Sequence, residues 1–150
     1  MSKKRLKIYA AGAMSGLTLS EMSDWRERIR GLLDKLVELK ENPEYEIDFI
    51  NPAKYYNTET NKHNDEFEAM LWDLNHVKSS DIIVVNLEGL NTSIGTSIEI
   101  YEAYKNSIQI LAYGKDEIYK DTHPWLKECI TRVDSNEISL CNYIYDFYMI

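Results

Sequence analysis

A chain of 150 residues, 44% of them hydrophobic, is long enough for one compact domain that buries roughly two-thirds of its unfolded surface, and too short for a second domain of ordinary size. Its formal charge of −8 argues against a nucleic-acid polymer as partner, because phosphate backbones are held by clustered Lys and Arg, and leaves small ligands open. No apolar run approaches the roughly 20 residues that cross a bilayer, and the two cysteines, Cys129 and Cys141, have no metal-like or redox CxxC spacing and read as ordinary reduced thiols.

In chain order, MSKKRLK leads straight into strand-like residues rather than a signal-peptide core, which predicts a cytoplasmic protein. The basic residues Lys3, Lys4, Arg5 and Lys7 read as a solvated terminus. Residues 6–11 (LKIYAA) form a short apolar run ending at Gly12 and Gly16, the pattern of a buried strand and a tight turn. Thr18 or Ser20 can cap a helix over about 20–39, where Met22, Trp25, Ile29, Leu32, Leu33 and Leu36 recur at helical spacing. EIDFIN at 46–51 reads as a second strand stopped by Pro52, 53–64 as a polar loop over the sheet edge, and 65–78 as a helix.

DIIVVNL at 81–87 is a continuous β-branched run of the kind a parallel sheet covered on both faces requires. A loop at 88–95, a helix at 96–106 and a fourth strand at 108–113 follow, and His123-Pro124-Trp125 opens a helix to about Arg132. The tail EISLCNYIYDFYMI is too apolar to hang free and is expected to add an edge strand or to pack on a neighbouring subunit, with Tyr145, Phe147 and Tyr148 as packing groups. The alternation predicts a single-domain three-layer α/β sandwich with a mainly parallel sheet of four to five strands, Rossmann-like or flavodoxin-like.

In such sheets ligands bind beyond the carboxyl ends of the strands, which selects the loops at 12–17, 52–64 and 87–95. GAMSG brings two glycines, and EGLNTSIGTS brings hydroxyls and backbone N–H groups to a helix start, a natural place for an anion. Neither GxGxxG nor GxxxxGK[ST] occurs, so a dinucleotide site and a P-loop are unsupported. Glu99 lies beside this crevice, but Thr96-Ser97-Ile98-Glu99 also matches a capping box, in which the glutamate only satisfies backbone N–H groups. Asp73 can face the crevice from its helix or stand in solvent.

Three segments together resemble the nucleoside 2-deoxyribosyltransferases and the related nucleoside 5′-monophosphate N-glycosidases: IYAAGAMSG, Asn51-Pro52, and the block WDLNHVKSSDIIVVNLEGLNTSIGTSIEIYEAY with its aspartate-bearing helix and G-T-x-x-E helix. The resemblance implies a metal-free, cofactor-free enzyme that cleaves or exchanges the base of a (deoxy)nucleoside or its 5′-monophosphate. Glu99 matches the glutamate that attacks the anomeric carbon, and Asp73 the aspartate that helps the base leave. Tyr9 matches a first-strand tyrosine, while Gly12, Met14 and Ser15, with Gly95 of the second glycine loop, would line the sugar and base pocket.

Ser93 stands where transferases tend to carry aspartate and monophosphate hydrolases serine; it either donates with Ser97 or Thr92 to a phosphate or simply caps the helix. The first loop lacks the hydrolases' arginine. The resemblance further implies a homodimer or higher homo-oligomer with a shared active site, completed by a partner segment around Asp121 to Trp125, where His123 could meet a phosphate or just begin a helix. YDFY is similar to the ending of some transferases. A nucleotide-binding protein that sequesters or senses its ligand without turnover is the alternative, because folds are reused.

Overall fold

The computed structural model describes residues 3–40, 44–55 and 65–150. Five strands form one sheet: β1 (Lys4–Ala11), β2 (Tyr45–Ile50), β3 (Ile82–Asn86), β4 (Gln109–Tyr113) and β5 (Arg132–Asp134). Their spatial order is β2-β1-β3-β4-β5, and every neighbouring pair is parallel. The chain leaves β1 to make β2 on one side and returns to make β3 on the other, so the direction of winding reverses between β1 and β3. This is the flavodoxin-like order, whose switch point opens a crevice at the carboxyl ends of those two strands.

Six α-helices among the described residues complete the layers: α1 (Leu19–Leu39), α2 (Glu66–Lys78), α3 (Ile94–Lys105), α4 (Asp116–Asp121), α5 (Pro124–Cys129) and α6 (Glu137–Tyr148). Local chemistry sets the longer starts. Thr18 and Glu21 form a reciprocal capping box at α1, and Asp65, Ser93 and Asn136 cap α2, α3 and α6 through side-chain oxygens. Gly89, at φ +74°, makes the left-handed turn after β3 that a β-carbon would resist.

Alternation along the strands separates two cores. Leu6, Ile8 and Ala10 of β1, with Ile82 and Val84 of β3, face α1 and α6 and meet Trp25, Ile29, Leu33, Leu140 and Ile144. Tyr9 and Ala11, with Ile83 and Val85, face α2 and α3 and meet Val77, Ile100 and Ala103. Burying each such Leu, Ile or Val side chain contributes about 1.5–3 kcal/mol.

The structure corrects three expectations. The tail adds no edge strand: Glu137–Tyr148 is α6, whose Leu140, Cys141 and Ile144 recur on one helical face and pack on α1. The helix expected to run to Arg132 stops at Cys129, because Arg132–Asp134 pairs with β4 as the fifth strand. Part of the loop expected at 53–64 is a short 3-10 turn, Pro52–Tyr55, and 56–64 lies outside the described residues.

Candidate active site

At the carboxyl end of β1, the backbone turns away at Gly12 with Trp25 of α1 filling the space where a side chain would begin. A β-carbon there would stand 2.6 Å from the indole ring, so glycine is required by the helix packed behind the loop. Beneath the same turn lies Arg26, fully buried. Its Nε donates to the Ala10 carbonyl at 3.0 Å and its Nη2 to the Gly12 carbonyl at 3.1 Å, and its Nη1 donates to the Met22 carbonyl. The guanidinium also lies over the Trp25 ring.

Above that turn is a cleft of about 520 Å³, the size of a small-molecule site. The first loop gives it Gly12, Met14, Ser15 and Leu17, and α1 gives Met22; α2 gives Glu66, Met70, Asp73 and Leu74; Ser93, Gly95, Thr96, Ile98 and Glu99 come from the start of α3. On α2, Glu66, Met70 and Asp73 stand at i, i+4 and i+7, a single stripe aimed at the cleft.

Glu99 does not cap α3. Ser93 is the N-cap, with its Oγ accepting from the Thr96 N–H at 3.4 Å and pairing with the Thr96 hydroxyl at 2.7 Å. Glu99 therefore lies a turn and a half into the helix, with no orphan N–H within reach, and its side chain points inward instead. The Tyr9 hydroxyl, rising from the middle of β1, donates to Glu99 Oε2. Asp73 is likewise buried, at 7% exposure.

Burial pushes the Glu99 carboxyl up to about 8; the hydrogen bond from Tyr9 and the charge of Arg26 oppose that rise, and the charge of Asp73 adds to it. Tyr9 is raised well above its ordinary value, chiefly by burial and then by the charges of Glu99 and Asp73, so its hydroxyl stays a donor. Burial lowers Arg26 to about 10, which leaves it cationic at neutral pH.

Of the residues expected from sequence, Gly12, Met14, Ser15, Asp73, Ser93, Gly95 and Glu99 share the cleft, and Tyr9 reaches it through Glu99. Ser97 does not line it: its hydroxyl donates to the Ser93 carbonyl at 2.9 Å, beside a shallower depression on the outer side of α3. Asp121 and His123 stand apart too. Asn91 ties that segment to the turn after β3, its Nδ2 donating to the Asp121 carbonyl and its Oδ1 accepting from the His123 N–H at 2.8 Å. His123 caps α5, with Nδ1 accepting from the Trp125 N–H at 3.1 Å.

Sequence reasoning missed Glu66, Met70, Thr96 and Arg26. The signal for Arg26 was present: Met22, Trp25, Arg26, Ile29 and Leu33 are the buried stripe of α1, and an arginine within such a stripe needs buried acceptors. Among the described residues, no group of His, Cys, Asp and Glu is arranged to hold a metal, and no helix is long and apolar enough to cross a membrane.

No family model matches the sequence, and no curated protein is detectably similar to it. Solved structures share its fold. A conserved protein from Enterococcus faecalis superposes with a TM-score of 0.68 at 21% identity, over 95% of this chain and 99% of that one. A 2-deoxyribosyltransferase from Bacillus psychrosaccharolyticus gives 0.63 at 16% identity, over 95% and 94%. The CMP N-glycosidase BcmB of Clostridium botulinum gives 0.52 at 16% identity, over 95% and 98%.

Proposed function

We propose that the chain breaks the bond between base and sugar in a (deoxy)nucleoside or its 5′-monophosphate, with Glu99 as nucleophile and Asp73 assisting the departing base. The observation that carries this reading is the pair of buried carboxylates, brought from α2 and α3 into one cleft at the switch point, with the Tyr9 hydroxyl fixed on one of them. Structural purposes do not account for the pair, because Glu99 caps nothing and burying a carboxylate is costly. The fold shared with a 2-deoxyribosyltransferase and a CMP N-glycosidase gives further support.

In the mechanism, ionised Glu99 attacks the anomeric carbon as the bond to the base nitrogen breaks, and the electron pair of that bond leaves with the base. Protonated Asp73 gives the base its proton. The sugar passes through a cationic, oxocarbenium-like state that the carboxylate stabilises before the glycosyl ester forms. Water or a second base then attacks the same carbon, Glu99 leaves as carboxylate, and the incoming group returns its proton to Asp73. Tyr9 orients the nucleophile throughout and supports its charge.

Cleft charge favours the unphosphorylated substrate. Glu66 is the acidic lining residue outside the reacting pair, and no Lys or Arg lines the cleft among the described residues, so a phosphate dianion meets no cation there; the Ser93 hydroxyl is already engaged with Thr96. The reading extends to a homo-oligomer in which a partner's 121–125 segment closes the cleft; within its own chain that segment is tied through Asn91 to the turn after β3.

Incubation with a panel of nucleosides and 5′-monophosphates, followed by chromatography for free base, tests the reading. Base release should appear, and Glu99→Gln should lower it by at least about a thousandfold, the scale on which removing a covalent nucleophile acts. Near-wild-type release by Glu99→Gln would refute the mechanism. Tight retention of intact ligand with no base released would identify a binding protein instead.

A further inference from the structure

We propose that Arg26 is a positioning residue of this site, holding the first loop from below through the carbonyls of Ala10 and Gly12, with its cation seated on the residue that follows Tyr9, the hydrogen-bond donor to Glu99. The inference rests on the N-glycosyl reading for its kinetic consequences only.

Its geometry is unusual for an amphipathic helix. A cation on the buried stripe of α1 would ordinarily turn out to solvent along its stem; Arg26 instead turns in and is fully buried. What it meets there is not a carboxylate but main chain. The carbonyls of Ala10 and Gly12 belong to the last turn of β1 and the first residue of the loop, and the third acceptor, Met22, lies one turn back on its own helix. The planar fork thus spans α1 and the strand end at once, a geometry a lysine ammonium cannot copy because it lacks the fixed fork of donors. Gly12, Met14, Ser15 and Leu17 follow directly and form one wall of the cleft.

Its contact acceptors are carbonyls, and among the described residues no carboxylate pairs with it at contact distance. Its charge acts instead on the groups that face it: Tyr9 of β1, Glu99 of α3, Tyr113 of β4 and Asp73 of α2. Toward Glu99 its effect favours the carboxylate, against burial and against Asp73. Arg26 therefore does two separable things. Its hydrogen bonds fix the loop that meets the ligand, and its charge favours the ionised form of the nucleophile against the effect of burial.

Arg26→Lys and Arg26→Gln separate them. The proton affinity of Glu99 is read without turnover, by comparing urea unfolding of each background with and without Glu99→Gln across pH. The kinetic constants for base release are read in parallel. In Arg26→Gln the Glu99 midpoint should move to higher pH by about one pH unit, the scale of losing a nearby opposite charge, and the acid limb of kcat/KM should follow it. In Arg26→Lys the midpoint should stay near that of the wild type while KM rises several-fold and kcat changes less.

A Glu99 midpoint equal in all three backgrounds would overturn the electrostatic role, and an unchanged KM in Arg26→Lys would overturn the clamp. Should Arg26→Gln fail to fold, Arg26→Lys still decides: a midpoint displaced as far as neutralisation predicts, or an unmoved KM, counts against the proposal. A wild type that releases no base but shows the displaced midpoint in Arg26→Gln would remove the N-glycosyl reading and leave the charge coupling standing.

Discussion

On one side of the sheet, Leu6, Ile8 and Ala10 of β1 meet the buried stripes of α1 and α6, apolar but for Arg26, and Leu33, Leu140 and Ile144 are shut off from water completely. On the other side the same strand presents Tyr9 and Ala11, and there the covering helices bring Asp73 and Glu99 down to the level of the strands. One face therefore gains from nearly every group it buries, with the desolvated charge of Arg26 as an exception, whereas the other carries the desolvation of two acids and a phenol at one end. The lesson is a division of labour within a single strand, set by the twofold alternation of its side chains. Stability resides with the even-numbered residues of β1 and chemistry with Tyr9, and perturbations of the two faces should be separable.

The largest expected effect on stability comes from breaking the apolar face. Leu33→Ala removes a fully buried side chain from α1 and should cost about 2–5 kcal/mol in urea unfolding while leaving KM and kcat within about twofold at temperatures where the variant is folded. A comparable loss of activity in the folded variant would show the faces to be coupled.

Glu99 supplies the opposite case. Its carboxyl holds a proton up to about pH 8 in the folded protein against an ordinary value of 4.5, so the folded state binds that proton more tightly than the unfolded chain does. The resulting stability is fully present below about pH 4.5 and is lost as pH rises through about 8. Glu99→Gln escapes the loss and should be more stable than the wild type above pH 8 by roughly 2–4 kcal/mol, with the gap closing toward acid. Melting temperatures of both proteins from pH 5 to 9 check this; a gap independent of pH would place Glu99 in a solvated setting. Activity should run the other way in the wild type, rising with pH as the nucleophile ionises.

The smallest effect sharpens the boundary. Thr18 begins α1 with a capping box beside the cleft, its Oγ1 accepting from the Glu21 N–H and the Glu21 carboxylate accepting from the Thr18 N–H, both at 3.2 Å. Thr18→Ala should cost about 1 kcal/mol of stability. Because the loop 12–17 is held by Arg26 rather than by the cap, KM should hold steady, and a several-fold rise in KM would assign the loop's order to the cap instead.

Much of this arrangement is legible in the sequence. The run IIVVN announces a strand buried on both faces, Thr18 announces α1, and the placement of loops after β1 and β3 follows from the parallel topology alone. Two features escaped for physical reasons, and the local role of Glu99 stayed open between cap and site. Arg132–Asp134 pairs with β4 over three residues, too short for any alternation to show. The aromatic and β-branched content of α6 suggests a strand, and only the Asn136 cap and the spacing of Leu140, Cys141 and Ile144 mark it as a helix. For Glu99, threonine and serine preceding a glutamate fit a capping box; Ser93, three residues earlier, takes that place in three dimensions and frees the glutamate to turn inward.

The bond between Tyr45 and Ile150 has a practical corollary. Tyr45 opens β2, at the amino edge of the sheet, and its hydroxyl donates to the Ile150 carbonyl at 2.5 Å. Ile150 and the cleft thus occupy opposite poles of the molecule. A surface or bead attached at this pole would hold the protein with its cleft turned to the solution, an orientation suited to immobilised assays and to capturing ligands from dilute mixtures.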